Sequence, residues 1–184
     1  MAHFDLYSCF PSAVEIGCLE LGIAPDDPRG LTTTGGLPFF GGAGNNYSMH
    51  AVAETVARMR STPGQFGLVG ANGGILSKYS VGVYSTTPTP WKPDSSAQLQ
   101  AGVADWPTQS VTENADGPAT VETYTVRRDS GRLTGIIIGR LADNSRFLST
   151  TEDEELIALL TDGDPIGRTV TVRSFDYGNR CFPG

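Results

Sequence analysis

A proline-rich stretch in the middle of the chain limits what it can fold into. Thr86–Ser96 reads TTPTPWKPDSS, and prolines both fix the backbone and remove hydrogen-bond donors. We therefore expect a linker at residues 87–97, which separates a first domain at residues 1–86 from a second at residues 98–184. With 184 residues and 39% hydrophobic content, the chain is long enough for two small domains.

The first domain starts with a predicted strand at residues 3–8 and a predicted helix at residues 12–21. Pro11 suits the first helical position, and Gly22 ends the helix. We expect most of this helix to be buried, because its apolar residues recur at i, i+4 and i+7 and others widen that face. These residues are Ala13, Val14, Ile16, Cys18, Leu19 and Leu21.

A second helix and a hairpin follow. Asn45 or Asn46 can cap the helix, whose inner stripe is predicted to be Met49, Val52, Val56 and Met59. The next segment holds two β-rich runs around the glycine cluster GANGG, residues 70–74. This pattern predicts an antiparallel hairpin that turns at the cluster.

The second domain is mainly β in pattern. Short apolar runs at residues 119–128, 133–143, 146–151 and 169–177 are separated by turn residues, and EDEELIALL is the one helical run. This spacing of strands predicts a small barrel. The expected fold class is therefore α/β in the first domain, followed by a small barrel.

Charge and cysteine content exclude several function classes. The formal net charge is −7, with −2 through Pro90 and −5 after it, which disfavours nucleic acid as a partner. No apolar run can span a bilayer, and the N-terminus has no basic region followed by an apolar stretch. We expect a cytoplasmic protein. Cys9, Cys18 and Cys181 have no metal-ligand spacing, so we expect free thiols and no metal site.

Cys9 is the first candidate for chemistry. It falls between the first strand and the first helix, where the positive end of the helix dipole favours a thiolate. A thiolate at this place can act as a base or a nucleophile. Packing alone is the alternative, because free cysteine is among the most buried residue types.

The glycine-rich loops are the second set of candidates. Gly41 and Gly42 lie ahead of a helix N-terminus, a place that suits an oxyanion or a thioester carbonyl, although a plain tight turn fits as well. Asn72 either supplies a positive φ in the hairpin turn or has a function. His50 is either a solvated or subunit-facing histidine or a general base.

Three segments in order resemble the C-terminal half of a thiolase: YSCFPSAVE, GGLPFFGGAGNNYSMHA and GANGGILSKYSVGVYS. The resemblance is to thiolase-like acetyl-CoA acetyltransferases of the sterol-carrier-protein type and covers about residues 1–90. Residues 91–184 resemble the additional C-terminal domain of a bacterial thiolase-like subgroup, an OB-like barrel. The resemblance therefore implies a partial mixed sheet with helices, followed by that barrel.

The resemblance also implies roles for individual residues. Cys9 keeps the family's acid/base cysteine, whereas Tyr7 replaces the histidine two positions before it. The catalytic histidine of the family's Gly-His-Pro motif falls on Gly42. Asn46 and His50 are the two candidates to replace it.

The resemblance implies where the substrate binds and what the chain lacks. Gly41, Gly42, Asn72 and Gly73 are the implied substrate-binding residues, and Asn72 stands near the family's Cys-x-Gly turn. The implied activity is acyl transfer between coenzyme A thioesters in lipid metabolism, with acyl-CoA as substrate and no further cofactor. The family's nucleophile lies in an N-terminal half that this sequence does not match, so a missing half or a partner chain is expected, and thiolases generally form homo-oligomers. The alternative is a catalytically silent acyl-CoA-binding or subunit-interaction module.

Overall fold

The structure is a computed structural model that describes all residues from Met1 to Gly184. It divides into two compact units, Met1–Pro93 and Asp94–Gly184, each of which is described by itself. The first unit contains three strands and three helices. These are β1 (His3–Asp5), α1 (Pro11–Leu21), α2 (Leu37–Phe40), α3 (Tyr47–Ser61), β2 (Phe66–Gly73) and β3 (Lys78–Ser85).

The three strands form one mixed sheet in the order β1-β2-β3. β1 runs parallel to β2, with Phe4 opposite Leu68, and β3 runs antiparallel to β2, with Asn72 opposite Tyr79. The partial mixed sheet with helices is therefore confirmed. Residues along a strand alternate between the two faces of the sheet, so one face of this sheet carries Phe4 and the opposite face carries Asp5.

The first face packs against α1. Phe4, Leu6 and Leu68 form a buried cluster with Cys18 of the helix. The prediction that most of α1 is buried is wrong, because Ile16 and Leu19 are exposed, Leu19 at 80%. The sheet packs beneath this helix. Because a three-stranded sheet covers only one side of a helix, the apolar residues on the other side stay exposed.

The second face packs against α3. The side chains of Thr55 and Met59 fill the space over Gly67, where a Cβ would collide with Thr55. The predicted inner stripe is wrong at Met49, which is 63% exposed, whereas Met59 is buried and Val52 and Val56 are half-buried. The buried residues of α3 are Tyr47, Ala51, Thr55 and Met59.

The second unit is a closed barrel, as the pattern of short strands predicted. Its strands follow the order β4-β5-β6-β8-β7, and β7 pairs back to β4. β6 and β8 are parallel, and the other neighbours are antiparallel. The elements are α4 (Ser96–Ala104), β4 (Gly117–Asp129), β5 (Arg132–Leu141), β6 (Arg146–Thr151), α5 (Glu154–Asp162), β7 (Thr169–Phe175) and β8 (Gly178–Pro183).

The barrel encloses its own core. Phe147 is buried and lies over Gly139, where a Cβ would collide with its ring. α5 is capped by Asp153, whose side chain accepts a hydrogen bond from the backbone N–H of Leu156 at 3.0 Å, and its Leu156 packs into the core. Across the whole chain, no helix has both the length and the apolar composition required to cross a bilayer.

Candidate functional site

Cys9 lies in the short connection between β1 and α1. β1 ends at Asp5 and α1 begins at Pro11, so the thiol stands just before a helix N-terminus, as predicted. The thiol is half-buried, and Asn72 Nδ2 donates to its sulfur at 3.5 Å. The fold thus brings together two of the predicted site residues that are 63 positions apart in the sequence.

Asn72 lies within β2 and not in the hairpin turn. The turn residues follow it, with Gly74 at φ 62° and Leu76 at φ 56°, whereas Asn72 does not have a positive φ. The prediction that the chain turns at residues 70–74, with Asn72 supplying the positive φ, is therefore wrong. The strand continues through Gly73 and aims the Asn72 side chain at Cys9.

The Asn72 amide is only half used. Its nitrogen donates to the Cys9 sulfur, but its oxygen is buried and has no hydrogen-bond partner in the protein. A buried acceptor without a donor is costly. The oxygen is therefore an unsatisfied acceptor within the contact between Asn72 and Cys9.

Tyr79 is a site residue that the sequence analysis missed. It pairs with Asn72 across the hairpin, and a Cβ added at Gly70 would collide with its hydroxyl. Burial raises the pKa of Tyr79, a hydrogen bond with the Tyr7 backbone lowers it, and the nearby charges of Cys9 and Asp5 raise it further. Gly70 is therefore needed in mid-strand to admit the ring, a signal that the glycine cluster carried in the sequence.

The predicted glycine loop is open. A Cβ added at Gly41, Gly42 or Gly44 would meet no atom within 4 Å. The segment ends in a 3-10 turn, Gly44–Asn46, directly before α3. The loop leaves room for a ligand oxygen, but the backbone N–H groups of Asn46 and Tyr47, where α3 begins, already donate to the carbonyls of Ala43 and Gly44.

Asn46 and His50 bond to each other and not to Cys9. Asn46 Nδ2 and His50 Nε2 are 3.3 Å apart on the exposed side of α3, and the His50 ring lies 4.9 Å from that of Phe40. Asn46 precedes the helix, but its side chain makes no capping hydrogen bond. The structure therefore shows an imidazole near the glycine loop, while the side-chain hydrogen bond of Cys9 goes to Asn72.

The other two thiols differ from Cys9. Cys18 and Cys181 are buried, and burial raises the pKa of both thiols. Cys181 also lies 3.0 Å from the hydroxyl of Ser149 in the barrel core. No three His, Cys, Asp or Glu side chains in the structure are grouped so that they could hold a metal ion.

A surface cavity on the barrel unit is separate from this chemistry. It has a volume of about 620 Å³ and is lined by Glu122 and Arg140, among others, but by none of the predicted site residues. Glu122 is held there by Arg140 and Arg146. The hydrogen bond from Arg146 is the main reason that the pKa of Glu122 falls to about 2.

Comparisons with known proteins identify both parts of the chain. Residues 98–176 match the family described as the thiolase-like protein type 1 additional C-terminal domain. The whole chain is similar to a monomeric SCP2-thiolase-like protein type 1 from Mycobacterium smegmatis, with 61% identity and a TM-score of 0.95. The comparison with curated proteins found no match.

The similarity covers all of this chain but only 41% of the Mycobacterium smegmatis chain. That relative is a monomer, so it gives no support to the expected homo-oligomer. The barrel predicted from the pattern of strands is the domain that the family model matches. The chain therefore belongs to the SCP2-thiolase-like proteins, and residues 98–176 are its additional C-terminal domain.

Proposed function

We propose that the first unit supplies part of a thiolase-type acyl-CoA site in which Cys9 transfers a proton. The observation that carries this proposal is the contact between the Cys9 sulfur and Asn72 Nδ2. A half-buried thiol at a helix N-terminus, whose sulfur accepts an amide N–H, is placed to exchange a proton with a bound substrate. Such a group can take a proton from the carbon next to a thioester carbonyl.

The other predicted residues complete the proposed site. Gly41 and Gly42 leave space ahead of α3, where backbone N–H groups that are not already bonded within the turn would stabilise the negative oxygen of an enolate. The free oxygen of Asn72 and the strand position of Gly73 would bind donor groups of the substrate. On the side of the glycine loop, the His50 imidazole would hold a proton and Asn46, which bonds to it, would orient the ring.

The reaction class would be carbon–carbon bond formation or cleavage on acyl-CoA. A covalent acyl step needs a second nucleophile, which the part of the relative's length that this chain does not span, or a partner chain, would supply. Coenzyme A enters as part of the substrate, and no further cofactor is required. A place in lipid metabolism and a cytoplasmic location are part of the same proposal.

A second candidate is a silent acyl-CoA-binding or subunit-interaction module. The observation in its favour is that Gly42 stands where the family has a catalytic histidine, while His50 bonds to Asn46 instead of Cys9. In this case the pocket would keep its shape without turnover.

One experiment separates the two candidates. A chimera of the Mycobacterium smegmatis protein, with this chain replacing the matching 41%, is tested for acetyl-CoA binding by calorimetry and for thiolytic cleavage of acetoacetyl-CoA. Cleavage that falls at least about 100-fold in Cys9→Ala supports the enzyme. Binding without cleavage supports the silent acyl-CoA-binding module, and no binding contradicts both the enzyme and that module and leaves the subunit-interaction role.

A further inference from the structure

A hydrogen-bonded network links the residue before Cys9 to both ends of the glycine loop. Its members are Asp5, Ser8, Thr34, Leu37 and Tyr47, which we call the Tyr47 network. Tyr47 is buried and lies at the centre, with its hydroxyl 2.6 Å from Thr34 Oγ1 and 3.4 Å from Ser8 Oγ. Neither the family resemblance nor the predicted site residues include this network.

The hydrogen bonds of the network run in one direction. A carboxylate only accepts, so the Thr34 hydroxyl donates to Asp5 Oδ2 at 3.3 Å. The Thr34 oxygen then accepts from the Tyr47 hydroxyl, and the Tyr47 oxygen accepts from the Ser8 hydroxyl. Ser8 in turn accepts from the backbone N–H of Leu37 at 2.8 Å, so every member has a defined orientation.

The network ends at a fully buried carboxylate. Asp5 has no exposed surface and no ion-pair partner; its Oδ2 accepts from four hydrogen-bond donors, whereas its Oδ1 is buried without a partner. Thr33 supplies two of them, its N–H at 2.7 Å and its hydroxyl at 3.0 Å. The loop at residues 33–34 is therefore tied to the end of β1 by the need to satisfy this carboxylate.

The three segments that meet in the network surround the proposed site. Ser8 is adjacent to Cys9, Leu37 begins α2 ahead of the glycine loop, and Tyr47 begins α3 after it. Tyr47 also packs edge-on against the rings of Tyr7 and Phe40, at 5.5 Å and 5.6 Å. A single buried hydroxyl group thus couples the position of the thiol to both ends of the loop.

We propose that Tyr47 and Thr34 are positioning residues that fix Cys9 relative to the glycine loop. Their importance for catalysis rests on the proposed function, because it assumes that Cys9 and the loop act on one substrate. Their effect on the geometry of Cys9 does not depend on that function. The two statements can therefore be tested separately.

The test is the rate at which iodoacetamide alkylates each cysteine of the native chain, resolved by peptide mass spectrometry between pH 7 and pH 9. Cys9 reports on the site, and the buried Cys18 reports on unfolding within the same molecule. Tyr47→Phe and Thr34→Val each remove one hydroxyl from the network. We expect the Cys9 rate to change about three- to tenfold in both variants, and the Cys18 rate to stay as in the unmodified chain.

Two further variants make the test specific to the hydroxyl groups. Thr34→Ser keeps the hydroxyl and should restore the Cys9 rate and its pH profile. Tyr84→Phe removes a tyrosine hydroxyl outside the network and should leave the rate unchanged. If Tyr47→Phe also raises the Cys18 alkylation rate, that variant is partly unfolded. The test then rests on Thr34→Val and Thr34→Ser, because Thr34 is only half-buried.

The proposal is overturned if Thr34→Val leaves the Cys9 profile unchanged, or if Thr34→Ser behaves like Thr34→Val. Acetyl-CoA binding is then measured on the Mycobacterium smegmatis chimera that carries the same substitutions. If the substitutions change the Cys9 alkylation rate but the protein does not bind acetyl-CoA, the positioning role is retained and the proposed function is rejected. If the protein binds acetyl-CoA but the substitutions leave the Cys9 alkylation rate unchanged, the positioning role is rejected and the proposed function is retained.

Discussion

The two units of the chain bury their apolar residues in different ways. The barrel closes on itself, so each of its strands has a neighbour on both sides, and its core cluster contains ten buried residues. The three-stranded sheet has two open edges, and the buried cluster beneath α1 contains four residues. Closure removes exposed strand edges, and the barrel therefore stabilises itself more completely than the sheet unit does.

The sheet unit leaves apolar side chains in contact with solvent. Val81 and Val83 lie on the edge strand β3, and Val83 is 57% exposed. The half-buried Cys9, the free oxygen of Asn72 and the buried Asp5 carboxylate all belong to this unit as well. The unit with the smaller buried cluster holds the candidate site, whereas the barrel has a self-contained core. The following predictions test that contrast.

The largest effect is expected for Phe147→Ala in the barrel core. The ring is buried against Gly139, and its loss leaves a cavity that costs about 3–5 kcal/mol of unfolding free energy. Leu148→Ala, on the same strand but 59% exposed, is the matched control and should cost far less. Urea unfolding followed by circular dichroism measures both, and equal losses would contradict a self-contained barrel core.

Gly70→Ala is expected to have the next largest effect. The added Cβ collides with the Tyr79 hydroxyl, and overpacking of this kind costs about 1–3 kcal/mol. The displaced ring would lose its burial, so the pKa of Tyr79, which burial raises, should fall toward its ordinary value in an ultraviolet titration. Gly73→Ala is the control, because its Cβ meets Lys78 Cβ at an ordinary 3.5 Å. An unchanged titration in Gly70→Ala would show that Tyr79 does not depend on this glycine.

A matched pair of valine substitutions compares the two units directly. Val172 is fully buried in the barrel, and Val172→Thr buries a hydroxyl that replaces a methyl group, at a cost of about 1–3 kcal/mol. Val83→Thr changes an exposed side chain and should stay within about 0.5 kcal/mol. Thermal unfolding of both variants measures the difference. A larger loss for Val83→Thr would mean that the open face of β3 is covered by something in solution.

The smallest effect concerns acid stability of the barrel. The pKa of Glu122 is lowered to about 2 from 4.5, chiefly by the hydrogen bond from Arg146. A lowered pKa means that the ionised Glu122 stabilises the fold above its unfolded pKa, and that this contribution is lost as the pH falls from about 4.5 toward 2. Glu122→Gln should therefore be less stable than the unmodified chain at pH 6, and the difference should shrink toward pH 2.

Glu155→Gln serves as the control for acid stability. Glu155 is exposed and forms no ion pair, so its substitution should leave the pH dependence unchanged. Urea midpoints between pH 2 and pH 6 measure all three proteins. A constant difference between Glu122→Gln and the unmodified chain across this range would contradict the prediction.

The sequence predicted the barrel well because its strands alternate with clear turn residues. The helix at Glu154–Asp162 was also predicted, because a run of acidic residues precedes a strong apolar pattern. The last strand, Gly178–Pro183, was not predicted. It has few apolar residues, and these follow the polar pair Asn179 and Arg180 close to the end of the chain. α4 was not predicted either. None of its residues is buried, so its sequence has no apolar stripe at helical spacing.

Local patterns could not predict how the sheet unit packs. The packing of α3 depends on the buried hydroxyl of Tyr47 and on the close approach at Gly67, both of which involve residues far apart in sequence. The glycine cluster was interpreted as a turn because glycine usually marks one, yet Gly70 is there to admit Tyr79. Cys9 and Asn72 were each predicted as site residues, but their contact required the fold.

The most direct test of the proposed function is exchange of the methyl protons of acetyl-CoA for deuterium in D₂O, followed by proton NMR. This step needs only the group that removes the proton, and no second nucleophile. We predict that the protein exchanges these protons faster than buffer alone does. The exchange rate should fall at least about 100-fold in Cys9→Ala and less strongly in Asn72→Ala. Exchange at the buffer rate, or an equal rate in Cys9→Ala, would contradict a proton-transferring thiol at this site.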